Sequence, residues 1–272
     1  MAAFLNKRLA GVGNYALRRR RRYLDGPQKL RALATRIAVW NVDVALCTGD
    51  YTIVGTESEL SFARKCVDPI IDATDAFVTL PGNHDVYLDD SIGLFERYFG
   101  DQLSTDMPEH AVDGLWPMVR LIGDHVAIVC VNSVRPNPSL LVSSGMIPQA
   151  QLDALAAILP ALEKRFVFVA THYAPRLRNG RPDSKRHGLT NADALLRATA
   201  GFRGAIVHGH VHHNYSVRVP ETSMTLCNSG STTMKDREGL WLYEITADRA
   251  TATPGTWHDG EYVLLEERRV EL

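Results

Sequence analysis

Leu80-Pro81-Gly82-Asn83-His84-Asp85 is the stretch on which the reading of this chain turns. The apolar run Ala76-Phe77-Val78-Thr79-Leu80 leads into it and reads as a buried strand, which Pro81 and Gly82 then break. Three side chains follow that can accept, coordinate and shuttle protons. An amide oxygen is a neutral, hard ligand for a divalent cation. An imidazole beside a carboxylate can pass a proton to a leaving group. A Gly-Asn turn is common and a loop histidine is most often simply solvated, so the weight of this stretch comes from what flanks it.

Upstream, Pro27 to Trp40 spaces Leu30, Leu33, Ile37 and Val39 as a helix, and Val42 to Thr48 reads as a strand ending at Gly49-Asp50. Glu57 to Ile71 has the pattern of an amphipathic helix. Downstream, Asp90 to Phe99 predicts a short helix. Met118 to Ile122 and His125 to Val131 flank Gly123-Asp124 as a hairpin. Pro148 to Leu162 is helical, and Arg165 to Ala170 is an apolar strand stopping at Thr171-His172. Tyr173 to Gly188, rich in Arg, Pro and Gly, reads as a mobile loop. Asn191 to Ala200 is a helix, and Ala205-Ile206-Val207 a strand running into His208-Gly209-His210-Val211-His212-His213. From Tyr215 onward the pattern is short strands without helices. Alternating α and β, then β alone, predicts an α/β fold of two packed β-sheets flanked by helices, a single domain over residues 1–272.

With 272 residues, 45% hydrophobic, 22% charged and a net charge of -1, the chain has ordinary globular composition and length for a large core. The near-zero balance argues against a general nucleic-acid coat. No apolar run approaches the roughly 18 residues of a membrane span, which predicts a protein with no transmembrane segment. Cys47, Cys66, Cys130 and Cys227 are dispersed, as expected of reduced thiols in a cytoplasmic protein. The basic N-terminal segment, residues 1–26, carries Arg18 to Arg22 and has no acid before Asp25. It reads as the solvated end of a surface helix; a transit peptide, a nucleic-acid patch and an anionic-membrane patch are the alternatives. Gly11-Val12-Gly13-Asn14-Tyr15-Ala16 fits a dinucleotide fingerprint, but no strand precedes it and the match is set aside.

Asp50, Asn83-His84, His172 and His210 with His212 each follow directly on an apolar strand. In α/β sheets ligands gather at the carboxyl ends of strands. One such residue is ordinary in a loop, whereas four matched placements point to a shared site. Carboxylate, amide and imidazole donors without thiolate suit Mn, Fe, Zn or Mg in a reactive site rather than a structural zinc.

These blocks, Gly49-Asp50, Gly82-Asn83-His84-Asp85, Thr171-His172 and Gly209-His210-Val211-His212, resemble in type and order those of the calcineurin-like metallophosphoesterases. The resemblance covers the chain from Asn41 onward and implies a four-layer α/β/β/α sandwich. It further implies two divalent metal ions bridged by Asp50, with Asn83, His172 and His210 completing one site and His212 belonging to the other. His84 would protonate the leaving oxygen, oriented by Asp85. Apart from the resemblance, Arg176, Arg178 and Arg181, in the loop after His172, are candidates to neutralise phosphate charge. His208 is expected to be structural and His213 a bystander. The implied reaction is hydrolysis of a small phosphate ester, a phosphodiester such as a cyclic nucleotide, by hydroxide shared between the metals.

The family's first block, Asp-x-His on a central strand, does not occur before Gly49. The expectation is a chain starting downstream of that N-terminal strand, from a misassigned start or a truncation. Such a chain would leave the strand's neighbours unpaired, with one fairly complete metal site, a crippled second and little activity. A metallo-β-lactamase-like hydrolase would place its His-rich block early, and a serine hydrolase would need a Gly-x-Ser-x-Gly elbow that is absent. The rival of a different class is a non-catalytic phosphate-ligand or protein-binding module on the same fold.

Overall fold

The computed structural model describes residues 2–137, 139 and 141–272. Its centre is a six-stranded mixed sheet in the order β3 (Met118–Ile122), β4 (Val126–Cys130), β5 (Phe166–Ala170), β6 (Gly204–His208), β8 (Thr225–Ser229), β7 (Asn214–Val217). The pairs from β4 through β8 are parallel, and the outer pairs β3–β4 and β7–β8 are antiparallel. The β3–β4 hairpin turns at Gly123-Asp124, as its sequence pattern requires.

Strand periodicity sorts the side chains of this sheet onto two faces. Ala127, Val129, Val167, Val169, Ile206 and Leu226 face α5 (Gln149–Ala161) and α6 (Ala192–Ala198). Ile128, Cys130, Phe166, Phe168, Ala205, Val207 and Cys227 face the other way, onto a second β layer. Both faces are buried, which is why these strands read as continuous apolar runs.

The second layer comprises two half-sheets. β1 (Val44–Cys47) pairs in parallel with β2 (Ala76–Thr79), and β9 (Leu240–Ile245), β11 (Glu261–Leu264) and β12 (Val270–Glu271) pair antiparallel with β10 (Ala250–His258). Val44 and Leu46 of β1 share one core with Trp241, Tyr243 and Ile245 of β9. Ala45 and Cys47 share the opposite core with Leu240, Trp257 and Tyr262. The half-sheets therefore serve the same two cores, yet among the described residues β1 is bonded only to β2 and β9 only to β10. All four β1 residues are half-exposed in consequence.

α2 (Gly26–Trp40) and α3 (Glu57–Ile71) close the outer face through Leu33, Ile37, Val67 and Ile70. The expected order of helix, sheet, sheet, helix is thus observed. α3 starts at a capping box: Thr56 Oγ1 accepts from the Glu59 amide, and the Glu59 carboxylate accepts from the Thr56 amide. α4 (Leu94–Phe99) is shorter than the predicted 90–99 because Gly93, in a left-handed conformation, delays its start.

α1 (Ala2–Asn14) corrects the expectation of a solvated basic end. Lys7 is buried, donating to the carbonyls of Tyr87 and Asn137, and Arg8 binds Asp90, Val54 O, Gly55 O and Ser91. Burial draws the Lys7 ammonium down to about 8. Gly11 belongs to this contact, not to a nucleotide loop, since a Cβ there would stand 2.7 Å from Val54 and 2.8 Å from Tyr87. Of the Arg run, Arg20 to Arg22 are exposed, while the side chains of Arg18 and Arg19 lie outside the described residues. No described helix is long and apolar enough to cross a membrane.

Candidate metal centre

Each predicted donor occupies a turn at a strand end, and the turns are built to touch. Gly49 and Gly82 abut so closely that a Cβ on either would run into the other turn. Asp85, fully buried, ties them together. Its carboxylate accepts the amides of Asp50, Tyr51, Thr52 and Gly82 and the Thr52 hydroxyl. Burial and the Asp50 charge push its carboxyl up to about 7, against the pull of those donors. Asp50, His210 and His212 all have positive φ, at 68°, 70° and 51°. Such backbone is sparsely populated by non-glycine residues and persists where the surroundings impose it, frequently at functional sites.

Four donors converge. His172 Nε2 is 3.0 Å from Asn83 Oδ1 and 3.6 Å from Asp50 Oδ1, and His210 Nδ1 is 2.9 Å from Asn83 Oδ1 and 3.3 Å from His172 Nε2. The opposite ring nitrogens decide the tautomers. His172 Nδ1 donates to Thr48 O at 2.7 Å, and His210 Nε2 donates to His187 O at 3.1 Å. Burial, then the neighbouring His172, holds His210 well below the usual imidazole range, so it carries a single proton. His172 Nε2, His210 Nδ1 and Asn83 Oδ1 therefore turn toward one another, while the far ring nitrogens are held by Thr48 O and His187 O. Backbone carbonyls holding the far nitrogens are the usual support for ligating imidazoles. Although burial opposes charge on Asp50, His172, His84 and His210 and the His84 amide keep its carboxyl well below the usual carboxylate range. The donor set fits a divalent cation.

The other side of Asp50 is sparser. His212 lies close enough to act electrostatically on His210, but no further carboxylate or imidazole completes a cluster with Asp50 and His212 among the described residues. A cluster that sequence reasoning missed is Asp183, His187 and His210, whose donor atoms lie within 4.8 Å of one another. His187 sits in the loop read as mobile, its ring 4.2 Å from that of His210 and its Nδ1 2.5 Å from Asp183. Only an isolated loop histidine marked it in the sequence.

His84 is near this set but not in it. Its Nδ1 donates to Ile53 O at 2.6 Å, and its ring stacks on Tyr87 at 5.8 Å. That corrects the expected role of Asp85, whose oxygens are taken by the Asp50 turn; Ile53 O is what orients His84. Ile53 is itself held by its amide, which donates to Glu59 Oε1. Arg176 is a second correction. It is 4% exposed and bound to Asp193 at 2.6 Å and Glu221 at 2.7 Å, so its guanidinium is occupied in the fold instead of meeting phosphate. Arg178 is exposed. Together with Arg237, which lies 2.7 Å from His213, it lowers that imidazole, after the effect of partial burial. His208 is buried and structural: Asn228 Nδ2 donates to its Nδ1 and to Gly209 O, bracing the turn that carries His210.

A two-sheet α/β scaffold presenting nitrogen and oxygen donors at its strand ends defines a class, and the comparisons agree with it. The sequence model of the calcineurin-like phosphoesterases matches residues 24–214, and the chain belongs to that family. No curated protein is similar enough in sequence to match. Among solved structures, the chain is similar to a dimetal phosphatase from Danio rerio, with 14% identity, 89% of each chain covered and a TM-score of 0.60. It is also similar to the purple acid phosphatase PPD1 from yellow lupin seeds, at 11% identity and a TM-score of 0.60 over 88% of this chain and 48% of that one. A third structure, TT1561 of Thermus thermophilus, matches at 10% identity and a TM-score of 0.50, over 82% of this chain and 91% of the other. At these identities the likeness is one of fold.

Proposed function

We propose that this chain is a metal-dependent phosphoesterase acting on a small phosphate ester, a phosphodiester such as a cyclic nucleotide, at a centre built on Asp50. The observation that carries the reading is the convergence of Asn83 Oδ1, His172 Nε2 and His210 Nδ1 beside the Asp50 carboxylate. Those four residues hold the first cation, and Asp50 and His212 contribute to a second. Bound divalent cations supply Lewis acidity, generating hydroxide from water near neutral pH and neutralising phosphoryl oxygens. Mn, Fe, Zn and Mg all suit these donors.

The chain's own residues do the rest. With Nδ1 committed to Ile53 O, His84 has Nε2 left to give a proton to the departing oxygen. Arg178, already expected in this role, and Arg237 supply positive charge beside His213, where Arg176 does not. The sparse side of Asp50 favours a second reading, a module that retains phosphate ligands without turning them over.

One experiment separates the two. Full-length protein loaded with each metal in turn is assayed for metal content and for hydrolysis of bis-nitrophenyl phosphate and of cyclic nucleotides. Turnover that His210→Ala abolishes supports the enzyme. Saturable binding of unchanged phosphate ligand without turnover supports the module, and neither metal uptake nor ligand binding sinks both.

A further inference from the structure

The N-terminal helix is packed inside out. Its charged residues Lys7 and Arg8 point into the protein, onto Tyr87, Asn137, Asp90 and the Val54-Gly55 backbone. Among the described side chains, the large apolar ones point outward: Leu9 is 65% exposed, Val12 48% and Leu17 87%, and Leu24 just beyond is 65% exposed. A surface helix normally does the reverse, and scattered exposed leucines need no explanation. Here, though, they follow one another along a single helical segment, α1 continued by the turns Tyr15–Arg19 and Arg20–Arg22. At its end, Ala16, Leu17, Arg20 and Arg21 line one shallow depression. Residues 1–24 hold seven Lys or Arg and no acid; Lys7 and Arg8 are turned inward, and the exposed Arg20, Arg21 and Arg22 set positive charge beside the apolar face.

From this we infer that the outward face of residues 9–24 is a docking surface for an anionic lipid bilayer. Charge and polarity together select that occupant. Apolar side chains enter the boundary between headgroups and acyl chains, while flanking arginines pair with lipid phosphates, and anionic lipid satisfies both. Nucleic acid would use the arginines and leave Leu9, Val12 and Leu17 in water. A second copy of the chain would bring the same positive face against itself. The consequence is spatial: Tyr87, against which the helix packs, also stacks on His84, so docking would hold the candidate centre at the membrane surface.

The test is sedimentation of the full-length protein with vesicles of phosphatidylcholine alone or mixed with phosphatidylglycerol. The expected result is binding to the mixed vesicles only, weakened by added salt. Each of Arg20→Gln, Arg21→Gln and Arg22→Gln should lower partitioning about five-fold, the equivalent of ~1 kcal/mol per charge. Leu17→Glu and Leu9→Glu, both at exposed positions, should abolish binding while the thermal unfolding curve stays put. Three results would each overturn the inference. One is equal or absent binding on both vesicle types. Another is a dimer in light scattering that Leu17→Glu dissociates, without vesicle binding. The third is duplex DNA binding that the arginine variants lose and Leu17→Glu keeps, again without vesicle binding.

Discussion

The two sides of Asp50 are unequal. Toward Asn83, His172 and His210, the structure brings amide and imidazole atoms to 2.9–3.3 Å from one another, His172 lying 3.6 Å from Asp50, with both imidazoles held by carbonyls, Thr48 O and His187 O. Toward His212 the sequence offers no Asp-x-His block before Gly49 that would add donors. The same strand shows both conditions, because β1 delivers Asp50 at its end yet, among the described residues, is hydrogen-bonded along only one edge. The contrast teaches that strand-end turns alone can bring an amide, two imidazoles and a carboxylate together.

The largest effect should come from breaking the rich side. His172→Ala or His210→Ala removes one of the two imidazoles that meet Asn83 Oδ1. Tight metal binding, followed by calorimetry or mass spectrometry, should fall by more than about 100-fold, beyond the loss typical of removing a supporting partner. His212→Ala should leave that first equivalent bound. If both variants lose metal equally, the asymmetry is wrong.

Next in size is His84→Asn. Its ring is outside the donor set, so metal content should be unchanged, whereas hydrolysis of an alkyl phosphodiester should slow by about 10²–10⁴-fold. A nitrophenyl ester, whose leaving group needs no proton, should slow much less. Equal losses on the two substrates would mean that His84 holds the site and does not donate.

Much of this was legible in the sequence because each donor directly follows an apolar strand, and strands buried on both faces are conspicuous as runs: Phe166 to Ala170 and Gly204 to His208 are read almost to the residue. The order of the blocks then marked Asp50, Asn83, His172 and His210, whose side chains the structure brings together. What was not legible depends on partners far away in the chain. Asp85 looks like a companion of His84 because it is adjacent, but its oxygens are captured by amides 33 to 35 residues upstream. Arg176 looks like a phosphate ligand because it follows His172, but Asp193 and Glu221 reach it first. The inverted burial of α1 was hidden too, since the acceptors of Lys7 and Arg8 come from segments up to 130 residues away.

A third prediction concerns how the rich side is held. Burial draws His208 from 6.5 down to about 3. Its neutral form is favoured in the folded state, so the stability it contributes is complete above pH 6.5 and is lost as pH falls from there toward 3, where the unfolded chain takes up the proton first. The slope is at most about 1.4 kcal/mol per pH unit. Thermal melts of wild type and His208→Gln across that window should show a shallower acid loss in the variant. Parallel curves would mean that His208 is not the group resisting the proton.

The smallest effect expected is at Glu59, which touches neither metal donors nor the His84 ring. Its carboxylate takes the amides of Ile53, Val54 and Thr56, and Ile53 O in turn fixes His84. Glu59→Gln keeps the length of the side chain but replaces one carboxylate oxygen with a donor, so one of those amides loses its acceptor. The capping box makes some loss of stability unavoidable, about 1 kcal/mol. A purely structural role would stop there. If Glu59 also positions His84, hydrolysis of the alkyl ester should fall by about 10-fold, equivalent to ~1.4 kcal/mol at the barrier, with nitrophenyl ester turnover and metal content nearly unchanged. The two substrates thus distinguish a loosened helix start from a misaimed imidazole. An equal fall on both would place Glu59 among the residues that only hold the fold.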